Sequence, residues 1–213
     1  KELGQKALDD GLNAKEILEG GLMDGMGIIG DKFKKNEVFV QEVLIAARAM
    51  NAGIEILKPL MVDAGVEAAG KVVIGTVKGD LHDIGKNLVD ILLSNNGYKV
   101  FNIGIKVPAE TIIAKARELN VDMIGLSGLL VKSAIVMQES LPQYREAGLD
   151  VPILLGGAAL TSDFVATSCV PNYDAPVVYC SDAFAGLKAL KDFEAGQLTA
   201  TVAAPKNGKP RMK

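Results

Sequence analysis

The chain has one histidine among its 213 residues. This is His82, and it lies in the run Gly79-Asp80-Leu81-His82-Asp83-Ile84-Gly85. At a spacing of two in an irregular loop, the Asp80 carboxylate can accept the Nδ1–H of the imidazole. That fixes the tautomer, aims Nε2 outward as a ligand and makes the ring more basic. The two cysteines, Cys169 and Cys180, form neither a disulfide framework nor a zinc cluster, and no other residues complete a multi-ligand site around His82. If His82 alone binds a metal, the remaining positions must be filled by something other than protein, and a metal held in a macrocycle meets that need. Two other readings stand beside this one. His82 can simply cap or pack a βα loop. Gly79 followed by Gly85-Lys86-Asn87 can also be compared with a phosphate loop. However, five residues separate these glycines where a phosphate loop has four, and Asn87 replaces the magnesium-binding Ser or Thr. Asp80 and Asp83 would also repel a triphosphate.

Composition narrows the classes further. With 23 basic and 26 acidic residues the net charge is −3, and only 5% of residues are aromatic. Such a chain is a poor nucleic-acid binder. No uninterrupted apolar run reaches membrane-spanning length, so no membrane partner is expected. The cysteine usage suggests a reducing, cytoplasmic compartment. Lys1-Glu-Leu-Gly is not a secretion signal, and with no Met at its head it leaves room for residues ahead of Lys1.

The elements that position these residues fall into two regimes. Residues 1–66 read as a small antiparallel helix bundle. Asn13 with Glu16 marks a capped helix start. Leu22, Met26, Ile29 and Phe33 share one face of a helix over Leu22–Lys35, and Gly20 and Gly21 punctuate an earlier one. Val43, Ala47, Met50, Ile54, Leu57 and Met61 form an apolar seam along a helix from about Val40 to Val62. Pro59 is expected to bend or shorten its last turn. A linker spans about Asp63–Gly70. Residues 71–197 alternate strand and helix. Strands are expected at Val72–Val77, Val100–Ile105, Met123–Ser127, Ile153–Leu155 and Val177–Cys180. The helices between and after them cover Gly85–Asn96, Pro108–Asn120, Ser133–Ala147, Ser162–Ser168 and Asp182–Glu194. This period specifies βαβ units and a doubly wound, Rossmann-like, flavodoxin-like sheet of five parallel strands. Residues 198–213 read as a disordered tail.

Ligands of open α/β sheets bind outside the carboxyl ends of the strands. Here those ends carry the Asp80–Gly85 loop, Ser127-Gly-Leu129 running on to Ser133, Gly156-Gly157-Ala158, and Tyr179-Cys-Ser181-Asp182.

Asp80-x-His82-x-x-Gly85, Ser127-x-Leu129 and Gly156-Gly157 together resemble the cobalamin-binding signature of B12 proteins that bind the cofactor base-off and His-on. Longer runs are similar as well. Gly75-Thr-Val-Lys-Gly-Asp-Leu-His-Asp-Ile-Gly-Lys-Asn87, Val107-Pro-Ala-Glu110 and Ile124-Gly-Leu-Ser-Gly-Leu129 resemble the cobalamin domain of methionine synthase. They equally resemble the corrinoid proteins of methyltransferase systems. Leu22-Met-Asp-Gly-Met26, Gly30-Asp-Lys-Phe33 and Phe39-Val40 resemble the helical cap over the corrin in that family. The similarity covers residues 8–195.

The resemblance implies that His82 is the lower axial ligand of cobalt, hydrogen-bonded by Asp80, with Ser133 extending the relay. Co(III) carrying a methyl favours an axial nitrogen and Co(I) does not. A ligand tuned by Asp80 and Ser133 would therefore couple the cobalt state to proton uptake. Ser133 also reads as a helix N-cap. Leu81, Asp83 and Ile84 flank the ligand. Gly85, Gly156, Gly157 and Ala158 would admit the displaced nucleotide tail, as would Ser127 and Leu129, although these glycines also read as ordinary turn residues. Tyr179, Ser181 and Asp182 would lie near the buried base. Phe33 and Val40 would cover the methyl-bearing face, or pack within the bundle core. Two positions depart from methionine synthase: Val131 replaces a hydroxyl residue and Val40 replaces a Leu.

The function so implied is that of a corrinoid protein carrying a methyl group on cobalt. The cofactor would be methylcobalamin or another corrinoid. The methyl would pass from a substrate:corrinoid methyltransferase of the O-demethylase, methylamine or methanol type to a methyl-acceptor methyltransferase, with a reductive activator as a further partner. The alternative is the cobalamin-binding module of a methionine synthase. A B12 light sensor would carry a Trp in its bundle, and this chain has none. A mutase domain would lack the cap.

Overall fold

A computed structural model describes residues 1–63 and 68–203. The chain clusters into two units. One comprises Lys1–Gly70 with Ile91–Lys99, and the other begins with Lys71–Asp90 and resumes at Val100.

The first unit is helical: α1 (Glu2–Asp9), α2 (Ala14–Ile17), a π-helical stretch Leu18–Met23, α3 (Asp24–Lys34) and α4 (Val40–Asp63). Asn13 caps α2 through a reciprocal box. Its side chain accepts from the Glu16 N–H at 2.9 Å, and Glu16 accepts from the Asn13 N–H at 2.9 Å. The seam of α4 is buried at Val43, Ala47, Met50 and Leu57, while Ile54 is half-buried. The side chain of Met61 lies outside the described residues. A Cβ at Gly53 would stand 3.0 Å from Leu22, so the small residue lets the π-helical stretch approach α4. That stretch takes up the start of the helix expected from Leu22. The glycines at 20 and 21 favour the widened turn because they resist regular α geometry. Pro59 lies inside α4, which continues to Asp63.

From Lys71 on the elements are β1 (Lys71–Thr76), α5 (Ile84–Ser94), β2 (Lys99–Asn102), α6 (Ala109–Leu119), β3 (Met123–Ser127), α7 (Val131–Glu146), β4 (Ile153–Gly156), α8 (Ser162–Phe164), β5 (Val177–Cys180) and α9 (Ala183–Glu194); all belong to the second unit except the end of α5 from Ile91 and Lys99 of β2, which cluster with the first. Strand order is β2-β1-β3-β4-β5, with parallel pairing from β1 to β3 to β4 to β5. This is the expected flavodoxin-like sheet. β1 is buried from Val72 onward, as a strand covered on both faces must be. Val73, Ile124, Ile153 and Leu155 of the sheet join Ile112, Met137 and Leu141 of the helices in one core. The helix expected over Ser162–Ser168 is α only to Phe164. It then passes through a π-helical stretch, Val165–Cys169, and a 3-10 turn, Val170–Asn172. β-branched Val165 and Thr167 in this segment disfavour a regular α-helix. The tail expected from residue 198 begins as a strap on β5. The Thr201 N–H donates to the Val177 carbonyl at 2.9 Å, and the Tyr179 N–H donates to Thr201 Oγ1 at 2.7 Å. Residues 204–213 of that tail, and 64–67 of the linker, lie outside the described residues.

Candidate functional site

The register of the sheet sets the ends of four strands side by side: Thr76 faces Ser127, Ser127 faces Gly156 and Gly156 faces Cys180. After β1 the chain crosses to β2 on one side, and β3 lies on the other. The reversal between β1 and β3 opens a crevice at their carboxyl ends. The loop carrying His82 is shaped there by backbone bonds. Gly79 adopts φ +82°, a left-handed conformation that glycine takes without strain. The Asp80 N–H donates to the Val77 carbonyl at 3.1 Å, and the Lys106 N–H donates to the Asp80 carbonyl at 3.0 Å. Fully buried Thr76 donates its hydroxyl to the His82 carbonyl at 3.3 Å.

Asp80 is the centre of the arrangement and is fully buried. Its Oδ1 accepts from the His82 backbone N–H at 2.9 Å and meets His82 Nδ1 at 2.7 Å. Its Oδ2 accepts from the Leu129 N–H at 2.7 Å, the Leu130 N–H at 3.4 Å and the Ser133 hydroxyl at 2.6 Å. Burial alone would raise its carboxyl. The hydrogen bonds from Ser133, His82 and Leu129 outweigh that and hold it well below the usual carboxylate range. An ionised Asp80 can only accept, so in the neutral imidazole the proton sits on Nδ1 and the lone pair on Nε2. The His82 side chain is 44% exposed.

His82 opens on a groove of about 440 Å³. The groove is lined by Leu81, His82, Asp83, Ile84 and Gly85, which follow β1, and by Ser127, Gly128, Leu129, Gly157 and Ala158. A Cβ at Gly85 would meet nothing within 4 Å, so that space is open to a ligand. Gly157 differs. It has φ +149°, and a Cβ there would collide with the Gly128 carbonyl oxygen. Gly156 has ordinary room, its nearest neighbour being the Cys180 carbonyl at 3.7 Å.

The structure thus gathers the residues of three separated motifs around one groove. Ser133 is not the N-cap of its helix. α7 starts two residues earlier at Val131, its N-cap Leu130 has no side-chain cap, and Asp80 serves the Leu129 and Leu130 amides instead. The Ser133 hydroxyl is thereby released to Asp80. Tyr179, Ser181 and Asp182 stand at the end of β5 and do not line the groove. Asp182 caps α9, accepting from the Ala185 N–H at 2.8 Å and from the Ser181 hydroxyl at 3.1 Å. Phe33, near the end of α3, is half-buried; Val40, at the start of α4, is 37% exposed. Three contributors escape the sequence reading: Thr76, Gly128 and the Leu130 amide. Gly128 is set by packing, since a Cβ there would lie 2.5 Å from Ser133 Cβ. Its place between Ser127 and Leu129 was the one available signal. A backbone amide leaves none.

Among the described residues no group of three or more His, Cys, Asp or Glu side chains can hold a metal ion, and no helix is long and apolar enough to cross a membrane. The donor set is therefore a single oriented imidazole beside an open groove.

Comparison with known proteins is specific. A B12 binding domain model matches residues 70–188, and a second B12 binding domain model matches residues 1–58. A corrinoid protein of Desulfitobacterium hafniense (strain Y51) is 38% identical over 161 residues, covering 73% of this chain and 74% of that protein. Methionine synthase of Mycobacterium leprae is 42% identical over 193 residues, but the match takes in 86% of this chain and only 16% of that enzyme's length. Among solved structures, the methanol:cobalamin methyltransferase complex MtaBC from Methanosarcina barkeri superposes with a TM-score of 0.78 at 31% identity, covering 92% of this chain and 74% of that one. With an oriented histidine and groove at the β1–β3 crevice and these matches along both units, the chain belongs to the family of B12-binding proteins.

Proposed function

We propose that this chain holds a corrinoid through Nε2 of His82 and serves as the methyl-carrying subunit of a cobalamin-dependent methyltransferase system. The observation that carries the reading is the Asp80–His82 pair at 2.7 Å, which leaves Nε2 as the ligating atom. The residues suit such a group. One imidazole would suffice for a metal whose macrocycle brings its other ligands. When bound, the group supplies a cobalt centre that accepts and releases a methyl. The chain's part is to orient and exclude. Asp80 keeps the ring proton on Nδ1, and Ser133 holds Asp80. Gly85 leaves room in the groove, while Leu81 and Leu129 give it apolar walls that keep water from the ligand. Residues 71–197 form the cobalamin-binding domain in this reading, and residues 1–66 the cap, with Phe33 and Val40 facing the methyl. Ser127, Gly156, Gly157 and Ala158 border the nucleotide tail, and Tyr179, Ser181 and Asp182 lie toward its base.

The partners are a methyltransferase that loads the methyl from a methoxyaromatic, methylamine or methanol donor, a second that removes it, and a reductive activator. A reducing cytoplasm suits the two free, buried thiols Cys169 and Cys180. A second reading, the cobalamin module of a methionine synthase, is favoured by the match to a short stretch of that enzyme.

Titration of the purified chain with cobalamin tests the proposal. The expected result is uptake in a 1:1 ratio with a base-off, His-on absorption spectrum, and weaker uptake with an altered spectrum for His82→Ala. A wild-type chain that takes up no corrinoid overturns it. Assay with partner methyltransferases separates the two systems.

A further inference from the structure

A buried cation lies one helical turn beyond His82 and makes no hydrogen bond to Asp80 or to the imidazole. Lys86, in the first turn of α5, is only 4% exposed. Lysine is almost never buried unless paired, because stripping water from an ammonium is costly. Its Nζ donates to Asn102 Oδ1 at 2.5 Å and to Asn87 Oδ1 at 2.9 Å. Burial lowers its ammonium, and the carboxylates of Asp83 and Asp90 act against that.

The two amides carry the connection in opposite directions. Asn87 Nδ2 donates to Asp83 Oδ2 at 3.0 Å, and Asp83 is the residue directly after His82. Asn102 Oδ1 accepts from the Gly104 N–H at 3.2 Å as well as from Lys86. Gly104, whose carbonyl accepts from the Thr76 N–H at 3.0 Å, starts the turn that ends with the Lys106 N–H on the Asp80 carbonyl. Asn102 Nδ2 closes the network on Asn87 Oδ1 at 3.1 Å and Asp90 Oδ2 at 2.9 Å. One arm therefore ends at Asp83 and the other at Asp80, the two residues that bracket the Leu81-His82 turn.

We infer that Lys86 is a positioning residue for His82. It ties both ends of the Asp80–Asp83 turn, so the imidazole is held in one place before a ligand arrives. A buried charge bonded to two side-chain oxygens suits such a task, since a buried hydrogen-bonded network rigidifies what it connects. The inference rests on the proposed role of His82 only for its last readout.

The test uses the apoprotein first. As the one histidine, His82 gives ring carbon–proton signals in NMR that need no further assignment. The expected ring order parameter in the wild type is near that of rigid backbone, about 0.85, falling below about 0.6 in Lys86→Met. Asn102→Ala removes an exposed side chain, is the milder substitution, and should lower the order parameter in the same direction. Amide exchange at core residues Val73 and Ile124 should stay within about twofold of wild type, which separates positioning from general loosening. An unchanged ring order parameter in folded Lys86→Met overturns the inference. If that variant does not fold, an unchanged value in Asn102→Ala does so, as does core exchange rising as much as the ring loosens. In the cobalamin-loaded protein reduced to Co(II), the nitrogen splitting of the EPR signal should weaken in both variants. If the wild type takes up no corrinoid, the proposed function fails, and the apoprotein comparison still decides the role of Lys86.

Discussion

Replacing Asp80 by Asn keeps the shape of the side chain and removes its charge and half its accepting capacity. In the wild type, Oδ1 serves the His82 N–H and Nδ1, and Oδ2 serves Leu129, Leu130 and Ser133. An Asn can present its oxygen to only one of these sides. With the oxygen toward Leu129 and Ser133, its NH₂ faces two donors. The backbone N–H of His82 is then left without an acceptor, and the ring can accept at Nδ1 only by moving its proton to Nε2. Two hydrogen bonds to a charged group are lost, at about 1.5–3 kcal/mol each, and one neutral bond worth about 1 kcal/mol replaces them. The net cost is roughly 2–5 kcal/mol, a large share of a typical domain stability of about 5–15 kcal/mol. Urea unfolding of the apoprotein, followed by circular dichroism, should show the midpoint falling by about 1 M or more at a slope of about 1–3 kcal/mol per molar. Ring nitrogen shifts of the single histidine should report the proton on Nε2, and cobalamin uptake should fall with it. An Asp80→Asn chain within about 0.5 kcal/mol of wild type, or one whose ring keeps its proton on Nδ1, refutes the assignment of Asp80 as the residue that fixes the imidazole. Because the folded-state carboxyl titrates below its ordinary value, its stabilisation is complete above about pH 4 and is lost as the pH falls further.

Removing the Ser133 hydroxyl by Ser133→Ala deletes a bond to a buried carboxylate and should cost about 1.5–3 kcal/mol in the same urea assay; a neutral result would mean that Asp80 is held without it. Gly85→Ala and Gly157→Ala separate ligand space from fold. The first places a Cβ in open space within a helix, so stability should be kept or gained by about 0.5–1 kcal/mol while cobalamin affinity drops. The second drives a Cβ into the Gly128 carbonyl and should destabilise the apoprotein itself, with both effects read from thermal melts and cobalamin titration. The thiols supply a pH test. Burial pushes Cys169 up to about 11, and burial with the nearby Asp182 pushes Cys180 up to about 12. A thiol unfolds to an ordinary value of about 8.5. The folded state therefore holds these protons longer, and their stabilising contribution is full below about pH 8.5 and declines as the pH rises toward 11–12. Alkylation at pH 8 should be slow in the native chain and fast in denaturant, and rapid labelling of the native protein would contradict the burial of both groups.

Much of this molecule was legible in its residues. Strand–helix alternation after Lys71 specifies a parallel sheet, because strands covered on both faces must be apolar nearly throughout, as in Val72-Val-Ile-Gly-Thr76. The Asn13–Glu16 box marks a helix start by local chemistry alone. Asp80-x-His82 states its own pairing, since the two side chains are close in sequence and their bond is local. Element ends were less legible. The helix read from Ser133 begins at Val131, since the groups that cap it come from Asp80, far away in the chain.

The sequence by itself determined that His82 is oriented by a carboxylate, that any metal it binds needs ligands from elsewhere, and that the residues able to contribute sit at strand ends. Only the tertiary structure decided how the carboxylate is held. One buried Asp80 stitches the loop after β1 to the start of α7 through amides that have no sequence signature. It also decided which glycines are structural, since Gly157 faces a carbonyl and Gly85 faces open space. Finally, it revealed that Lys86 reaches both sides of the His82 turn through Asn87 and Asn102. The physical reason is common to all three. Backbone donors, close approaches and buried polar networks depend on distances between segments remote in sequence, and the order and register of the sheet set those distances.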